Sequence, residues 1–255
     1  EARAQAIRRL ARAMEFHESA ASGNRVVRVC QYARLIAQAA GVKPQVAELM
    51  LKAAPLYDIG KIGVPSEILR KPGKLSAPDL ERVRRHPQLG AEIIGEHQDP
   101  VLGLARKLAL THHERWDGTG YPKKLKGNEI PWPGRVMAIV DTFESMTTTQ
   151  FYRREPYSID DAALAVKVGF GKQFDPSLAP AFDKALPSMK KVRETCTDAL
   201  GEMIDLDFSP GYDAVKKPTA TTTGFPEYCV SKLANVLHAE ALAVGPHGDE
   251  DLPVL

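Results

Sequence analysis

Apolar residues recur at helical spacing along almost the whole chain, which restricts it to an all-α fold. Ile7, Leu10, Ala11 and Met14 fall at i, i+3, i+4 and i+7, one stripe of a 3.6-residue helix. Val26, Val29, Cys30, Ala33, Ile36 and Ala37 mark a second helix that closes at Gly41. Val46, Met50, Leu51 and Ala54 mark a third, leading into Tyr57-Asp58. The segment from Gly60 to Gly73 holds Pro65 and Pro72 and reads as a loop. Ser76-Ala-Pro-Asp79 is a helix start, with a capping serine and then proline and an acid in the first turn. That helix is expected to carry His86, and another from about Val101 to deliver His112 and His113. Asp117-Gly-Thr-Gly-Tyr-Pro122 breaks the pattern, and an irregular loop reaches Pro133. A helix from Arg135 carries Asp141. No alternating pattern of strand length and no internal repeat is evident.

The 255 residues suffice for one large domain, or one domain plus an appendage. With 34 basic against 32 acidic residues, bulk charge gives no nucleic-acid signal. The local runs Arg82, Arg84, Arg85 and Lys123, Lys124, Lys126 read as solvated faces. Cys30, Cys196 and Cys229 are far apart and odd in number, so neither a disulfide framework nor a zinc ribbon is indicated. A reducing cytoplasm fits that usage. No apolar run approaches the length of a membrane span and no signal peptide is read. The chain opens at Glu1 inside a helical pattern, which suggests a segment upstream.

A few side chains suit a metal site. Asp58 follows an apolar helix, where a carboxylate is costly to bury unless paired or metal-bound. Its oxygens can bridge cations, although a helix-end aspartate without ligand role is the plainer reading of that residue alone. Adjacent helical residues point about 100° apart. His112 and His113 can therefore share one centre only if it is broad or the backbone bends; the alternative is one core and one exposed histidine. His86, in Arg-Arg-His-Pro, is a lone helical histidine, a type that is usually no ligand. Asp141 lies in an apolar run, Val136 to Phe143, and needs a partner, for which a metal is natural. Imidazole and carboxylate together suit iron, manganese, nickel or zinc. Lys61 and Arg135 can hold phosphate oxygens or be surface charges.

Taken in order, the segments Asp58-Ile-Gly-Lys-Ile-Gly-Val-Pro65, Leu69-Arg-Lys-Pro-Gly-Lys-Leu75, His86-Pro-Gln-Leu-Gly90, His112-His-Glu-Arg-Trp-Asp-Gly-Thr-Gly-Tyr-Pro122, Leu125-Lys-Gly127, Ile130-Pro131 and Arg135-Val-Met-Ala-Ile-Val-Asp141 resemble the HD-GYP family. The resemblance covers roughly residues 5–185. It implies an all-helical HD-domain bundle that hydrolyses cyclic di-GMP to pGpG or GMP at two or three metals, often iron or manganese. It further implies that Asp58 bridges metals, that His86, His112 and His113 are ligands on one side, and that Asp141 completes the other. By the same resemblance Lys61 lies near the scissile phosphate, and Arg135 holds the site together or holds substrate. The Gly120-Tyr121-Pro122 loop would be exposed to partners such as GGDEF-type cyclases. An upstream sensor or receiver domain would follow family habit.

The departures from that pattern fall together. Tyr57 stands where the family has the histidine of its His-Asp pair, Arg25 where it has an upstream histidine, and Ala21 where some members have a glutamate ligand. A phenol ionises near pH 10 and is a poor ligand for Fe²⁺ or Mn²⁺ unless the metal ionises it. Arginine cannot ligate, and it repels a cation. His17 and Glu18 could substitute, but lie seven or eight residues early. The expectation is a degenerate site with one ion, which binds a cyclic dinucleotide or a partner with weak or no turnover. An active phosphodiesterase with a single-metal or remodelled site is the alternative. The expected layout is an HD-GYP domain over 1–186, a C-terminal helix at 187–206, a Thr/Pro/Gly-rich linker at 207–226, and an amphipathic helix with acidic tail at 227–255. The last helix could pack on the domain or across a homodimer.

Overall fold

A computed structural model describes residues 2–18, 24–150, 153 and 155–198. The linker and final helix expected beyond 206, Cys229, and position 21 lie outside the described residues. Among the described residues ten α-helices follow in order: α1 (Ala2–Glu18), α2 (Asn24–Ala39), α3 (Pro44–Ala53), α4 (Ser66–Leu69), α5 (Ala77–Val83), α6 (His86–Ile94), α7 (Pro100–Thr111), α8 (Trp132–Thr147), α9 (Ile159–Gly169) and α10 (Ala179–Thr195). The all-α expectation holds: among the described residues there is no strand, only isolated bridges such as Gln150 to Arg153. No helix among them is long and apolar enough to cross a membrane.

α2 is the axis of the bundle, packed against α3, α8 and α10. Its apolar stripe widens to nearly all faces: Val27, Val29, Cys30, Tyr32, Ala33, Ile36 and Ala37 are all buried. Each large apolar side chain so buried contributes about 1.5–3 kcal/mol. Tyr32 meets Phe143 edge to face at 5.6 Å, and Phe143 meets Phe182 at 6.0 Å, which joins α2, α8 and α10. α2 ends where Gly41 takes φ +79°, a conformation that favours glycine.

Two ion pairs fix how α2 lies along α8. Arg28 meets Glu144 at 2.6 Å with both side chains fully buried. One turn earlier on each helix, Arg25 meets Asp141 at 3.4 Å. Arg28 also donates to the Cys196 carbonyl and to Asp198, each at 2.7 Å, and so pins the chain just after α10. Burial alone would raise the Glu144 carboxyl, and Arg28 more than offsets it, leaving the acid below its ordinary range. A buried pair is weak evidence for stability but sets register.

Several expected boundaries move. The helix expected from 187 begins at Ala179 and runs through Pro187, so position 186 is inside an element. Proline removes one helical hydrogen bond, but buried Phe182 and Met189 hold both halves of α10 against the core. The stretch expected as a loop after Gly60 is instead a 3-10 turn over Ile59–Gly63 followed by α4. The helix opened by Ser76 stops at Val83, and His86 begins the separate helix α6. Pro87 is the cause: it cannot donate inside a helix but fits the first turn of a new one.

Candidate metal centre

Four side chains converge between the Asp58 turn, α6 and the end of α7. One ligand atom from each of Asp58, His86, His112 and His113 lies within 4.8 Å of all the others. Glycine makes the approach possible. A Cβ on Gly60 would stand 1.9 Å from the His86 carbonyl oxygen and 2.4 Å from the Gly90 nitrogen. The 3-10 turn therefore packs backbone to backbone on α6, which sets Asp58 beside His86. α7 ends at Thr111, with His112 at its C-terminal cap. His112 keeps helical backbone dihedrals, φ −68° and ψ −17°, and the two neighbouring histidines both reach the group because it is broad, its ligand atoms lying up to 4.8 Å apart.

The protons around the group are accounted for. His86 donates through Nδ1 to the Val83 carbonyl at 2.6 Å. His112 Nδ1 faces the carbonyls of Leu108 and Ala109 at 2.9 and 3.0 Å. In a neutral imidazole this leaves each Nε2 as a bare lone pair. Both lone pairs face Asp58 Oδ1, at 3.3 and 3.4 Å, and stand 3.3 Å from each other. Asp58 Oδ1 is buried without a hydrogen-bond partner. Burial keeps the His86 imidazole below its ordinary pKa. Burial, then His112 and His86, press that of His113 well below. Burial opposes ionisation of Asp58, but Lys61 holds it well below the usual carboxylate range. Three acceptors with no proton to share repel one another unless a cation lies between them. Ligands about 2.1 Å from one ion stand about 3.0–3.4 Å apart, and the three spacings among Asp58, His86 and His112 match. The donor set fits one divalent metal.

The other oxygen of Asp58 faces protein cations. Lys61 Nζ is 2.7 Å from Oδ2, and Arg25 Nη2 is 3.8 Å from it. Arg25 Nη2 also donates to the Tyr57 hydroxyl at 3.1 Å, and Tyr57 donates to Asp141 Oδ1 at 2.9 Å. Burial, although opposed by Arg25, holds the Tyr57 phenol well above its ordinary pKa, so it stays neutral and a donor. Asp141 is thus held by Tyr57 and Arg25 and does not belong to the four-residue group. Glu18 does reach the site, but as the partner of Lys61 at 2.8 Å and of Arg25 at 3.2 Å. His17 meets the Val64 carbonyl at 3.0 Å instead. Arg135 donates to Asp175 at 2.8 Å, to the Ile130 carbonyl at 2.8 Å and to Asn128 at 3.1 Å.

The loop Gly120-Tyr121-Pro122 folds back on the histidines. The Tyr121 ring stacks on His113 at 4.7 Å and 22°, and the Tyr121 backbone N–H donates to the His113 carbonyl at 3.2 Å. Gly120 is buried, with no room for a Cβ against Glu114 and Arg115. Tyr121 and Pro122 are half-buried, and Lys123 and Lys124 beyond them are exposed.

Sequence reasoning missed Glu15. Its carboxylate accepts the Arg25 and Val26 backbone N–H groups at 3.4 and 3.2 Å, holding the start of α2 against α1. Burial, partly offset by Arg25, pushes its pKa from 4.5 up to about 7. A raised acid stabilises the fold fully below the unfolded pKa, and that contribution is lost as pH climbs through the folded one. Glu15→Gln should therefore remove a loss of up to about 3 kcal/mol between about pH 4.5 and 7. Urea midpoints of both proteins at pH 5 and pH 8 check this: the variant gains on the wild type at the higher pH.

Comparison with known proteins agrees with this geometry. A family model described as HD domain matches residues 9–178. A cyclic di-GMP phosphodiesterase of Vibrio cholerae serotype O1 is 36% identical over 174 residues, covering 63% of this chain and 35% of that protein. The cyclic di-GMP phosphodiesterase response regulator RpfG of Xanthomonas campestris pv. campestris is 32% identical over 188 residues, covering 74% of this chain and 49% of that protein. A 3'3'-cGAMP-specific phosphodiesterase 2 of Vibrio cholerae serotype O1 is 36% identical over 169 residues, covering 66% and 32%. The chain thus spans half or less of the length of these relatives. The solved structure of a cyclic GMP-AMP specific phosphodiesterase from Vibrio cholerae shares the fold, with TM-score 0.51 at 14% identity over 73% of this chain and 51% of that one. An all-helical bundle with an Asp-His group between its helices, matched by the family model over most of its length, places the chain in the HD domain family.

Proposed function

We propose that this chain is a cyclic-dinucleotide-binding HD-GYP domain with one divalent ion, in which protein cations replace a second ion and turnover is weak or absent. The observation that carries this is the place of Arg25, whose guanidinium lies among Tyr57, Asp58 and Asp141, the groups that would face a second metal. Its fixed charge disfavours a metal there. A divalent ion on Asp58, His86, His112 and His113, of which iron or manganese fits the resemblance best, supplies Lewis acidity toward a phosphate oxygen. The chain's own residues then bind rather than cleave. Lys61 and Arg25 offer positive charge to a phosphodiester. Tyr57, neutral and hydrogen-bonded to Asp141, takes no proton from an attacking water. Arg135, bonded to Asp175 and Asn128, holds the loop before α8 in place rather than substrate. The relatives' names support a cyclic di-GMP or 3'3'-cGAMP ligand. A GGDEF-type partner would meet the exposed edge of the loop at Tyr121 to Lys124.

A second reading, a working phosphodiesterase with a single ion, is favoured by the intact four-residue group and by Lys61 beside Asp58. Loss of half the charge stabilisation should lower its rate by about two orders of magnitude or more. The two readings separate in one experiment. Manganese-loaded protein is mixed with cyclic di-GMP, binding is followed by calorimetry, and the nucleotide is recovered and separated. Saturable binding with intact cyclic di-GMP is expected. Multiple-turnover release of pGpG or GMP would establish the second reading and overturn the first.

A further inference from the structure

We infer that Arg25 and Lys61 form a phosphate subsite that the carboxylate of Glu18 fills in the free protein, so that a phosphate enters by displacing Glu18. This rests on the reading above that the chain binds a cyclic dinucleotide. Glu18 Oε1 meets Lys61 Nζ at 2.8 Å and Oε2 meets Arg25 Nη1 at 3.2 Å. One oxygen on each of two cations is the way a phosphate would sit there. The Arg25 and Lys61 side chains are only 10% and 11% exposed, whereas Glu18 is 17% exposed. The acid is therefore the member of the trio nearest to solvent.

Charge singles out Glu18 as the removable group. In the metal-free chain Asp58 and Asp141 already match Arg25 and Lys61, so Glu18 adds a third negative charge. Burial opposes its ionisation and nearby Asp58 adds to that, while Lys61 and Arg25 outweigh both and hold its carboxyl below the ordinary range. A second observation points to an anion with more acceptors than a carboxylate. Arg25 Nε is buried and has no hydrogen-bond partner among the described residues. A phosphate oxygen would supply the missing acceptor.

Space decides between addition and displacement. The cavity beside this cluster, lined by Glu15, Glu18, Arg25, Tyr57 and Asp58, measures about 30 Å³. That suffices for a water or two, since each needs about 10–15 Å³ on this measure, but not for a phosphate added beside Glu18. The end of α1 is tethered, by His17 to the Val64 carbonyl and by Arg70 to the carbonyls of Phe16 and His17. The Glu18 side chain, rather than the helix, must then swing out. It carries its charge toward water as it goes.

Glu18→Gln tests this on the metal-free chain in EDTA, with inorganic phosphate and cyclic di-GMP titrated separately by calorimetry and guanosine as the phosphate-free control. Removing an internal anionic competitor should tighten inorganic phosphate binding about tenfold, as expected for losing one charge-assisted hydrogen-bonded competitor. Guanosine should not respond. Adding Arg25→Gln to the variant should abolish the gain, and circular dichroism checks that each protein is folded. Should Glu18→Gln fail to fold, Glu18→Ala takes its place, with the same gain expected. Phosphate bound equally or more weakly by the folded variant overturns the subsite, even if cyclic di-GMP still binds. A gain for inorganic phosphate without any binding of cyclic di-GMP would leave the subsite standing and overturn the ligand assignment instead.

Discussion

Gly60→Ala is expected to destabilise the protein by about 3 kcal/mol or more and to abolish metal retention. The cause is space rather than backbone conformation. The added methyl would lie 1.9 Å from the His86 carbonyl oxygen, 2.4 Å from the Gly90 nitrogen and 2.9 Å from the Gly90 Cα. These are backbone atoms of α6, so no rotamer change relieves the overlap, and overpacking of that kind is at the costly end of its range. The 3-10 turn and α6 must separate, which draws Asp58 away from His86. Gly63, three residues on in the same turn, is the control. Its Cβ would meet only the Leu89 side chain, Cδ1 at 3.0 Å and Cγ at 3.9 Å, the end of a flexible side chain. Gly63→Ala should stay within about 1 kcal/mol of the wild type and keep its metal. Urea midpoints with metal content on the same samples check both variants.

The double change Arg25→His and Tyr57→His is expected to raise metal content from about one to about two ions per chain and to raise cyclic di-GMP turnover by about two orders of magnitude. Two imidazoles would replace a guanidinium and a phenol beside Asp58 Oδ2 and Asp141, removing a fixed positive charge and adding two donors. The single variant Tyr57→His should gain little. Arg25 lies 3.8 Å from Asp58 Oδ2. A unit charge about 4 Å from each unit of an ion's charge costs about 4 kcal/mol at an effective dielectric of 20. The two changes should therefore act together rather than add. Metal analysis and product chromatography on the wild type, both singles and the double variant give the comparison. Unchanged metal content in the double variant would mean that these positions do not face a metal.

The helical periodicity was enough to read the fold class, because α2, α7 and α8 carry their apolar stripes openly. The four converging side chains were legible as residue types, and Pro87 explains why His86 opens a helix of its own. What the sequence does not show is pairing across space. Arg25 and Arg28 look like surface charges on a helix, yet each faces an acid one turn apart on α8. Asp141 reads as a ligand because an acid in an apolar run needs a partner, and the partners it has are Tyr57 and Arg25. Glu18, seven residues before Arg25, reaches the site only because α1 folds back over the Asp58 turn. Gly60 and Gly90 carry no sign that they touch. The helix expected from 187 begins instead at Ala179, because the burial of Phe182 and Met189 outweighs the local effect of Pro187.

The central claim is that Asp58, His86, His112 and His113 hold an ion while Arg25 and Lys61 take the place of a second. The direct measurement is the metal-to-protein ratio of wild-type protein reconstituted with excess manganese and desalted. The account predicts a ratio near one that falls to zero in His112→Ala. A ratio near two in the wild type would contradict it.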